Sequence, residues 1–120
     1  MDREKFIKRF NEEPNNNVNS TWLLNVLNRS IDANVDKDKF RGFSNLVITN
    51  EELAELVQEV SKYLREKGDY YNVLQELADV MICTNYVKMI CGINDENLNK
   101  AINVKLKRIE DELNKNGQYK

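Results

Sequence analysis

The apolar residues of this chain recur at helical spacing in three long segments, and this periodicity constrains the fold more than any other feature. The first segment ends near Gly68 and the second near Gly92, and glycine is the preferred residue just after a helix. The third segment repeats apolar residues every three or four positions, at Leu98, Ile102, Leu106, Ile109 and Leu113. No stretch of the sequence has the period-two alternation of a half-buried strand. The sequence therefore predicts an all-α fold.

Shorter elements are predicted before these segments. Phe6 and Phe10 are four residues apart in a charged stretch, and the proline that follows stops that helix. After an asparagine-rich loop, Ser20 or Thr21 is expected to cap a second amphipathic helix. We expect residues 1–44 to form an amino-terminal helical hairpin and a linker.

The rest of the chain, residues 45–120, is predicted to hold the three long helices. Residues 35–44 are charged and irregular, and Gly42 is the expected hinge before them. A chain of 120 residues is long enough for a single compact domain with a modest core. We expect antiparallel helices with a four-helix-bundle-type core, and burial shared with a second subunit would enlarge that core.

The charge pattern bears on partners and on location. Charged residues make up 32% of the chain, the formal net charge is −2, and both signs are interspersed. This balance disfavours nucleic acid or an anionic membrane as the main partner. The first residues include no apolar signal segment, and no stretch is apolar enough to span a membrane. A cytoplasmic protein is expected.

The composition excludes several common kinds of catalytic site. Without histidine, the chain cannot form a Ser-His-Asp triad or a histidine-ligated zinc site. Its four glycines are too scattered for a phosphate-binding loop. Cys83 and Cys91 do not have CxxC spacing, and we interpret both as small buried hydrophobic residues. Any chemistry must use carboxylates, lysine, arginine and hydroxyl groups.

Two acids lie within the apolar stretch "NVLQELADVMI" at residues 72–82. On a helix, Glu76 and Asp79 lie about 60° apart, and apolar residues occupy nearly all the remaining circumference. A narrow acidic stripe of this kind must be neutralised, because desolvating an unpaired carboxylate is costly. A divalent cation or a buried arginine would serve.

The preceding helix supplies a matching acidic stripe. Glu52 and Glu55 are three residues apart and share a face, and Glu59 follows one turn later. If the two helices pack antiparallel, these two acids and the Glu76/Asp79 pair converge on one point. Oxygen-only ligands select hard cations, Mg²⁺ first and Mn²⁺ as a substitute, and Mg²⁺ commonly recruits substrate phosphates.

These residues also resemble a known family. "EELAE" followed by "QELADV" is similar to the EExxE…ExxD signature of the MazG-like all-α nucleoside triphosphate pyrophosphohydrolases, a superfamily that includes dimeric dUTPases and dCTP pyrophosphatases. The resemblance covers about residues 46–113, which makes residues 45–120 the expected catalytic helices. It implies Mg²⁺-dependent hydrolysis of a nucleoside triphosphate to the monophosphate and pyrophosphate. It also implies a homodimer or homotetramer.

The resemblance assigns roles to individual residues. Its metal ligands correspond to Glu52, Glu55, Glu76 and Asp79. Its catalytic acids correspond to Glu51, Glu55 and Glu76, and Glu51, Glu55 and Glu59 are the candidates for orienting or deprotonating water. Its phosphate-binding positions correspond to Lys105 and Arg108.

Two other functions are open to this sequence. One is a non-enzymatic helical interaction module, whose acidic stripe would be neutralised by Arg65 or Arg108. The other is a metal-dependent hydrolase of a different phosphorylated small molecule. Residues that bind phosphate do not indicate which base or sugar the substrate carries.

Overall fold

The computed structural model describes residues 1–119, and this part of the chain is helical without a strand. Its helices are α1 (Arg3–Glu12), α2 (Ser20–Asp32), α3 (Phe43–Leu64), α4 (Tyr70–Cys91) and α5 (Asp95–Asn116). The predicted all-α fold is confirmed. None of these helices combines the length and the apolar character that a membrane crossing requires.

The chain divides into two compact units. The first covers Met1–Ile90 and contains α1, α2, α3 and nearly all of α4. The second starts at Cys91 and contains α5, which begins after the cap residue Asn94 and ends before Gly117. The predicted boundary after residue 44 falls inside the first unit and differs from the boundary between the two units. It stays a prediction.

The cap of α2 differs from the predicted one. Asn19, not Ser20 or Thr21, is the N-cap, and its side chain accepts a hydrogen bond of 2.9 Å from the backbone N–H of Trp22. Asparagine is among the strongest N-cap residues, so the last residue of the asparagine-rich loop competes successfully with the serine after it. Both predicted cap residues therefore lie inside the helix.

The end of α3 also differs from prediction. The helix stops at Leu64, and Glu66, not Gly68, adopts the left-handed conformation, with φ 59°. The N–H of Lys67 donates to the Lys62 carbonyl and that of Glu66 to the Tyr63 carbonyl, which is a Schellman ending. Gly68 has another role, because a Cβ at this position would lie 2.5 Å from the Tyr63 backbone.

The turn after α3 is connected to α1 through Asp69. The Arg3 guanidinium donates to both Asp69 carboxylate oxygens, at 3.0 and 2.8 Å. The same carboxylate accepts from the backbone N–H groups of Tyr71 and Asn72, so it caps the start of α4. The hydrogen bond from Arg3 lowers the pKa of Asp69. This arrangement fixes the first turn of α4, just before its acidic stripe.

The core of the first unit is small and lies between α2 and α4. Leu27 and Ile31 of α2 pack with Cys83 and Tyr86 of α4. Cys83 is therefore a buried packing residue, as predicted. The same prediction for Cys91 is wrong, because Cys91 is exposed at the end of α4, although its neighbours Met89 and Ile90 pack against the core.

Gly42 joins the linker to α3 under two constraints. It has φ 93°, which disfavours residues with a side chain, and a Cβ there would lie 2.4 Å from Ile90. We predict that Gly42→Ala lowers the free energy of unfolding by about 2 kcal/mol or more, from left-handed strain plus overpacking.

Gly92→Ala is the matched control, because Gly92 has φ 68° but a Cβ added to it would meet nothing within 4 Å. Its expected cost is about 1 kcal/mol, from backbone strain alone. Urea unfolding of both variants measures the difference. Equal losses would contradict the close packing of Gly42 against Ile90.

Candidate functional site

The face of α3 that turns toward the neighbouring helices is polar. Asn45 and Thr49 are its buried residues, and Glu52 follows on the same face. The Thr49 hydroxyl donates to the Asn45 carbonyl at 2.8 Å and lies 3.4 Å from the Cys83 carbonyl oxygen of α4. This close approach of α3 and α4 positions Glu52 beside the acids of α4.

Three carboxylates meet between α3 and α4. One oxygen each from Glu52, Glu76 and Asp79 lies within 4.8 Å of the other two, and all three residues are partly buried. The structure therefore brings together three of the four predicted metal ligands. We call these three residues the acidic cluster.

Glu55, the fourth predicted ligand, lies at the edge of the acidic cluster and is exposed. Its charge and its hydrogen bonding raise the pKa values of Glu52 and Glu76, so its carboxylate is a neighbour of both. Glu55 is thus available to a ligand that enters from solvent.

The acidic cluster contains carboxylate oxygens without a hydrogen-bond partner. Oε2 of Glu52 and Oε2 of Glu76 are both buried and unpaired. A buried carboxylate oxygen without a partner is costly, so each of these atoms must be matched by a proton or a cation.

The electrostatics of the acidic cluster favour proton uptake when no cation is present. Burial, followed by the charges of Asp79 and Glu55, raises the pKa of Glu52 from 4.5 to about 7. Burial, followed by hydrogen bonding to Glu55, raises the pKa of Glu76 to about 7. Burial also raises the pKa of Asp79. At neutral pH, Glu52 and Glu76 are therefore close to half-protonated, and a bound metal ion would displace these protons.

Two arginines of the first unit form ion pairs with acids that do not belong to the acidic cluster. Arg3 pairs with Asp69 and Arg41 with Asp32, both outside the acidic cluster. Arg65, proposed above as a neutralising residue, follows α3 thirteen residues after Glu52, which is about 20 Å along a helix. Arg65 therefore cannot neutralise Glu52 directly.

The acidic cluster fits a hard divalent cation. Its donors are all carboxylate oxygens, the ligand type that Mg²⁺, Mn²⁺ and Ca²⁺ prefer. Its 4.8 Å limit is close to the span of one coordination shell, because oxygens on opposite sides of Mg²⁺ lie about 4 Å apart and those of Ca²⁺ about 5 Å. The two unpaired oxygens are the atoms that a cation would satisfy.

The other predicted site residues occupy different positions. Glu51 is exposed on α3. Glu59 accepts from Lys62 at 3.2 Å through one oxygen, and its other oxygen is buried without a partner. Lys105 and Arg108 are exposed on α5 in the second unit, three residues apart and hence on one face. Their assignment to phosphate stays a prediction.

Sequence reasoning missed the buried polar residues that precede Glu52. Asn45 is fully buried, its Nδ2 donates to the Ser30 hydroxyl at 3.1 Å, and its Oδ1 is unpaired. The available signal was spacing, because Asn45, Thr49 and Glu52 fall at i, i+4 and i+7 on one helix face.

Comparisons of the chain with protein-family models, curated proteins and solved structures found no match. The resemblance to the MazG-like pyrophosphohydrolases therefore rests on the two acidic motifs and stays a prediction.

The acidic cluster predicts an unusual pH dependence of stability in the metal-free protein. Glu52 and Glu76 hold protons in the folded state up to about pH 7 but release them near pH 4.5 when unfolded. The folded state thus binds more protons between these values, so the free energy of unfolding should fall as pH rises from about 5 to 7. The expected slope is about 1.4 kcal/mol per pH unit for each proton held.

Urea unfolding in EDTA at pH 5, 6, 7 and 8 measures this slope. Glu76→Gln should flatten it, whereas Glu12→Gln, at an exposed acid of α1, should not. Asp69, whose pKa is lowered, affects the free energy of unfolding only below about pH 4, so it does not contribute to the slope between pH 5 and pH 7. Stability that rises from pH 5 to pH 7 would contradict the account of the acidic cluster.

Proposed function

We propose that this protein is a Mg²⁺-dependent nucleoside triphosphate pyrophosphohydrolase that converts a nucleoside triphosphate and water to the monophosphate and pyrophosphate. The observation that supports this function is the acidic cluster, in which carboxylates from two helices converge with buried, unpaired oxygens. The spacing of these acids within EExxE and ExxD supplies the substrate class, through the family resemblance.

Metal binding and substrate positioning would involve four acids of α3 and α4. Glu52, Glu76 and Asp79 would hold the cation, with Glu55 joining from the edge. Bound Mg²⁺, or Mn²⁺ in its place, supplies charge neutralisation for a triphosphate and for the departing pyrophosphate. Two long helices fix the first three acids, so these acids would hold the cation, and through it the substrate phosphates, without further reorganisation.

Water activation falls to an acid that is not fully used in metal binding. Glu55 is exposed at the edge of the acidic cluster, and Glu51 is exposed on α3 directly before Glu52. Either carboxylate could accept the proton of the water that attacks the α-phosphorus. Lys105 and Arg108 would hold phosphate oxygens, and the arginine fork suits a bidentate contact.

The proposal includes a homo-oligomer acting in the cytoplasm, where it would remove unwanted nucleoside triphosphates from the pool. Its support is the large exposed apolar surface. Trp22 is 68% exposed, Val57 64% and Met81 62%, whereas the core is small. A domain with so little buried apolar area gains most from sharing a face with another subunit.

The same exposed surface favours one second candidate, a helical interaction module without enzymatic activity. Such a protein would use its apolar faces for a partner, and its acidic cluster would hold protons instead of a metal. The metal and substrate experiments below separate the two candidates.

Metal binding should stabilise the protein by mass action. We predict that Mg²⁺ or Mn²⁺ raises Tm, with a gain of about 2.7 kcal/mol when the ion is 100-fold above its Kd. Glu76→Gln should raise Tm in EDTA at pH 8, because it removes repulsion, and should abolish the gain from metal. Glu12→Gln should change neither value. Thermal unfolding with and without the ion measures both effects, and a gain that survives Glu76→Gln would contradict the assigned site.

Activity can be tested with a panel of canonical and modified nucleoside triphosphates in Mg²⁺. We expect monophosphate and pyrophosphate as products, and a loss of at least about a hundredfold in kcat/KM for Glu76→Gln. Orthophosphate release would contradict the proposed cleavage point. Inactivity across the whole panel, with either ion, would favour the interaction module.

A further inference from the structure

Thr49 forms a polar contact between α3 and α4 about one helix turn from the acidic cluster. Its hydroxyl donates to the Asn45 carbonyl at 2.8 Å and lies 3.4 Å from the Cys83 carbonyl oxygen of α4. On α3, Thr49 precedes Glu52 by three residues. On α4, Cys83 follows Asp79 by four residues. The contact is therefore the neighbour, along both helices, of the place where the carboxylates meet.

Asn45 connects the same face of α3 to α2. Its Nδ2 donates to the Ser30 hydroxyl at 3.1 Å. The α2 helix in turn packs against α4 through Leu27 and Ile31. The first half of α3 is thus held to α4 directly at Thr49, and indirectly through α2 at Asn45.

These two buried polar residues suit the geometry of the interface more than its stability. Thr49 is 3% exposed and Asn45 0%. Burying a hydroxyl or an amide gains less free energy than burying valine or leucine, because the polar atoms lose water. Oδ1 of Asn45 is unpaired, so part of this cost is not offset. Hydrogen-bonded contacts are short and directional, however, whereas apolar side chains tolerate repacking.

The spacing of α3 and α4 determines the size of the acidic cluster. Glu52 lies on α3, and the other two acids, Glu76 and Asp79, lie on α4, so separating the helices would widen the cluster. Mg²⁺ requires oxygens at about 2.0–2.1 Å in a near-ideal octahedron, whereas Ca²⁺ takes them at about 2.3–2.6 Å in a more flexible shell. A widening of a few tenths of an ångström would therefore favour Ca²⁺ over Mg²⁺.

We propose that Thr49 and Asn45 are positioning residues that set the cation selectivity of the acidic cluster. They hold α3 close enough to α4 for a small cation to bind Glu52 together with the two acids of α4. Both residues act through Glu52 and neither is a metal ligand. This inference rests on the metal site of the proposed function but not on pyrophosphohydrolase activity.

The first test is Thr49→Val, which replaces the hydroxyl with a methyl group of similar size. A methyl carbon requires about 3.3 Å or more from a carbonyl oxygen, so it cannot take the 2.8 Å position beside Asn45. The Cys83 carbonyl, at 3.4 Å, leaves little room toward α4, and valine has one strongly preferred rotamer in a helix. We therefore expect the two helices to separate slightly.

The measurement is the Kd of Mg²⁺ and of Ca²⁺ for the full chain, by competition with Mn²⁺, whose free form gives an electron paramagnetic resonance signal. Thr49→Val should weaken Mg²⁺ binding by about tenfold or more and Ca²⁺ binding by less, so the selectivity ratio shifts toward Ca²⁺. Ser30→Ala, which removes the acceptor of the Asn45 amide, should shift the ratio in the same direction. Thr49→Ser keeps the hydroxyl and should keep the wild-type ratio.

Thr84→Val is the matched control. The Thr84 hydroxyl also donates to a carbonyl of its own helix, that of Met81 at 2.9 Å, but Thr84 is exposed. This variant should leave both Kd values unchanged, and circular dichroism verifies that all variants fold. If Thr49→Val weakens the two ions equally, its role is merely structural and the proposal is overturned. Unchanged Kd values in Thr49→Val would overturn it as well.

These results separate the two proposals. Wild type that hydrolyses a triphosphate, with Thr49→Val unchanged in both Kd values, contradicts only the positioning role. Wild type that shows the shift in selectivity but no hydrolysis contradicts only the pyrophosphohydrolase. Wild type that binds neither ion contradicts the metal site on which both proposals rest.

Discussion

The half-burial of three carboxylates between α3 and α4 is the constraint on which the rest of the structure depends. Glu52, Glu76 and Asp79 cannot all be ionised side by side without compensation, because burial and mutual repulsion both disfavour the charged forms. Two of their oxygens are buried without a partner. The fold thus holds carboxylates whose charge protons or a cation would balance.

The same constraint explains the construction of α3. Its inward face carries Asn45, Thr49 and Glu52, so polar groups occupy positions that a small helical domain would usually fill with leucine. Most of the apolar residues of α3 are exposed, Leu53, Val57 and Leu64 among them. The helix therefore contributes little to the core, which is formed by α2 and α4. The free-energy cost of this arrangement would be offset if a ligand paired with the acidic cluster and a second subunit covered the exposed apolar residues of α3.

Sequence periodicity was sufficient for the helices and for most of the candidate site. The ExxE and ExxD spacings fix which acids share a face, and an antiparallel connection then brings Glu52, Glu76 and Asp79 together, as predicted. Details that depend on competition between neighbours were harder to predict. Asn19 displaces Ser20 as a cap, and Glu66 takes the left-handed position in place of Gly68. Cys91 is exposed although Ile90, directly before it, packs against the core.

The orientation of α3 could not be predicted, because its sequence offers two faces of similar width. The apolar face at Leu53 and Val57 is the usual choice for a core, yet tertiary contacts select the polar face. Periodicity shows that two faces exist, but it does not show which one the neighbouring helices contact. Single-sequence patterns also do not record a binding partner, such as a metal ion or a second subunit, that would make the polar face favourable.

The most direct test of the central claim is a crystal structure of the protein grown at neutral pH with Mn²⁺, using anomalous scattering to locate the ion. We predict an anomalous peak between the carboxylates of Glu52, Glu76 and Asp79, with the Glu52 and Glu76 oxygens that are now unpaired among its ligands. Absence of a peak there, with the three carboxyl groups hydrogen-bonded to one another through shared protons, would contradict the account.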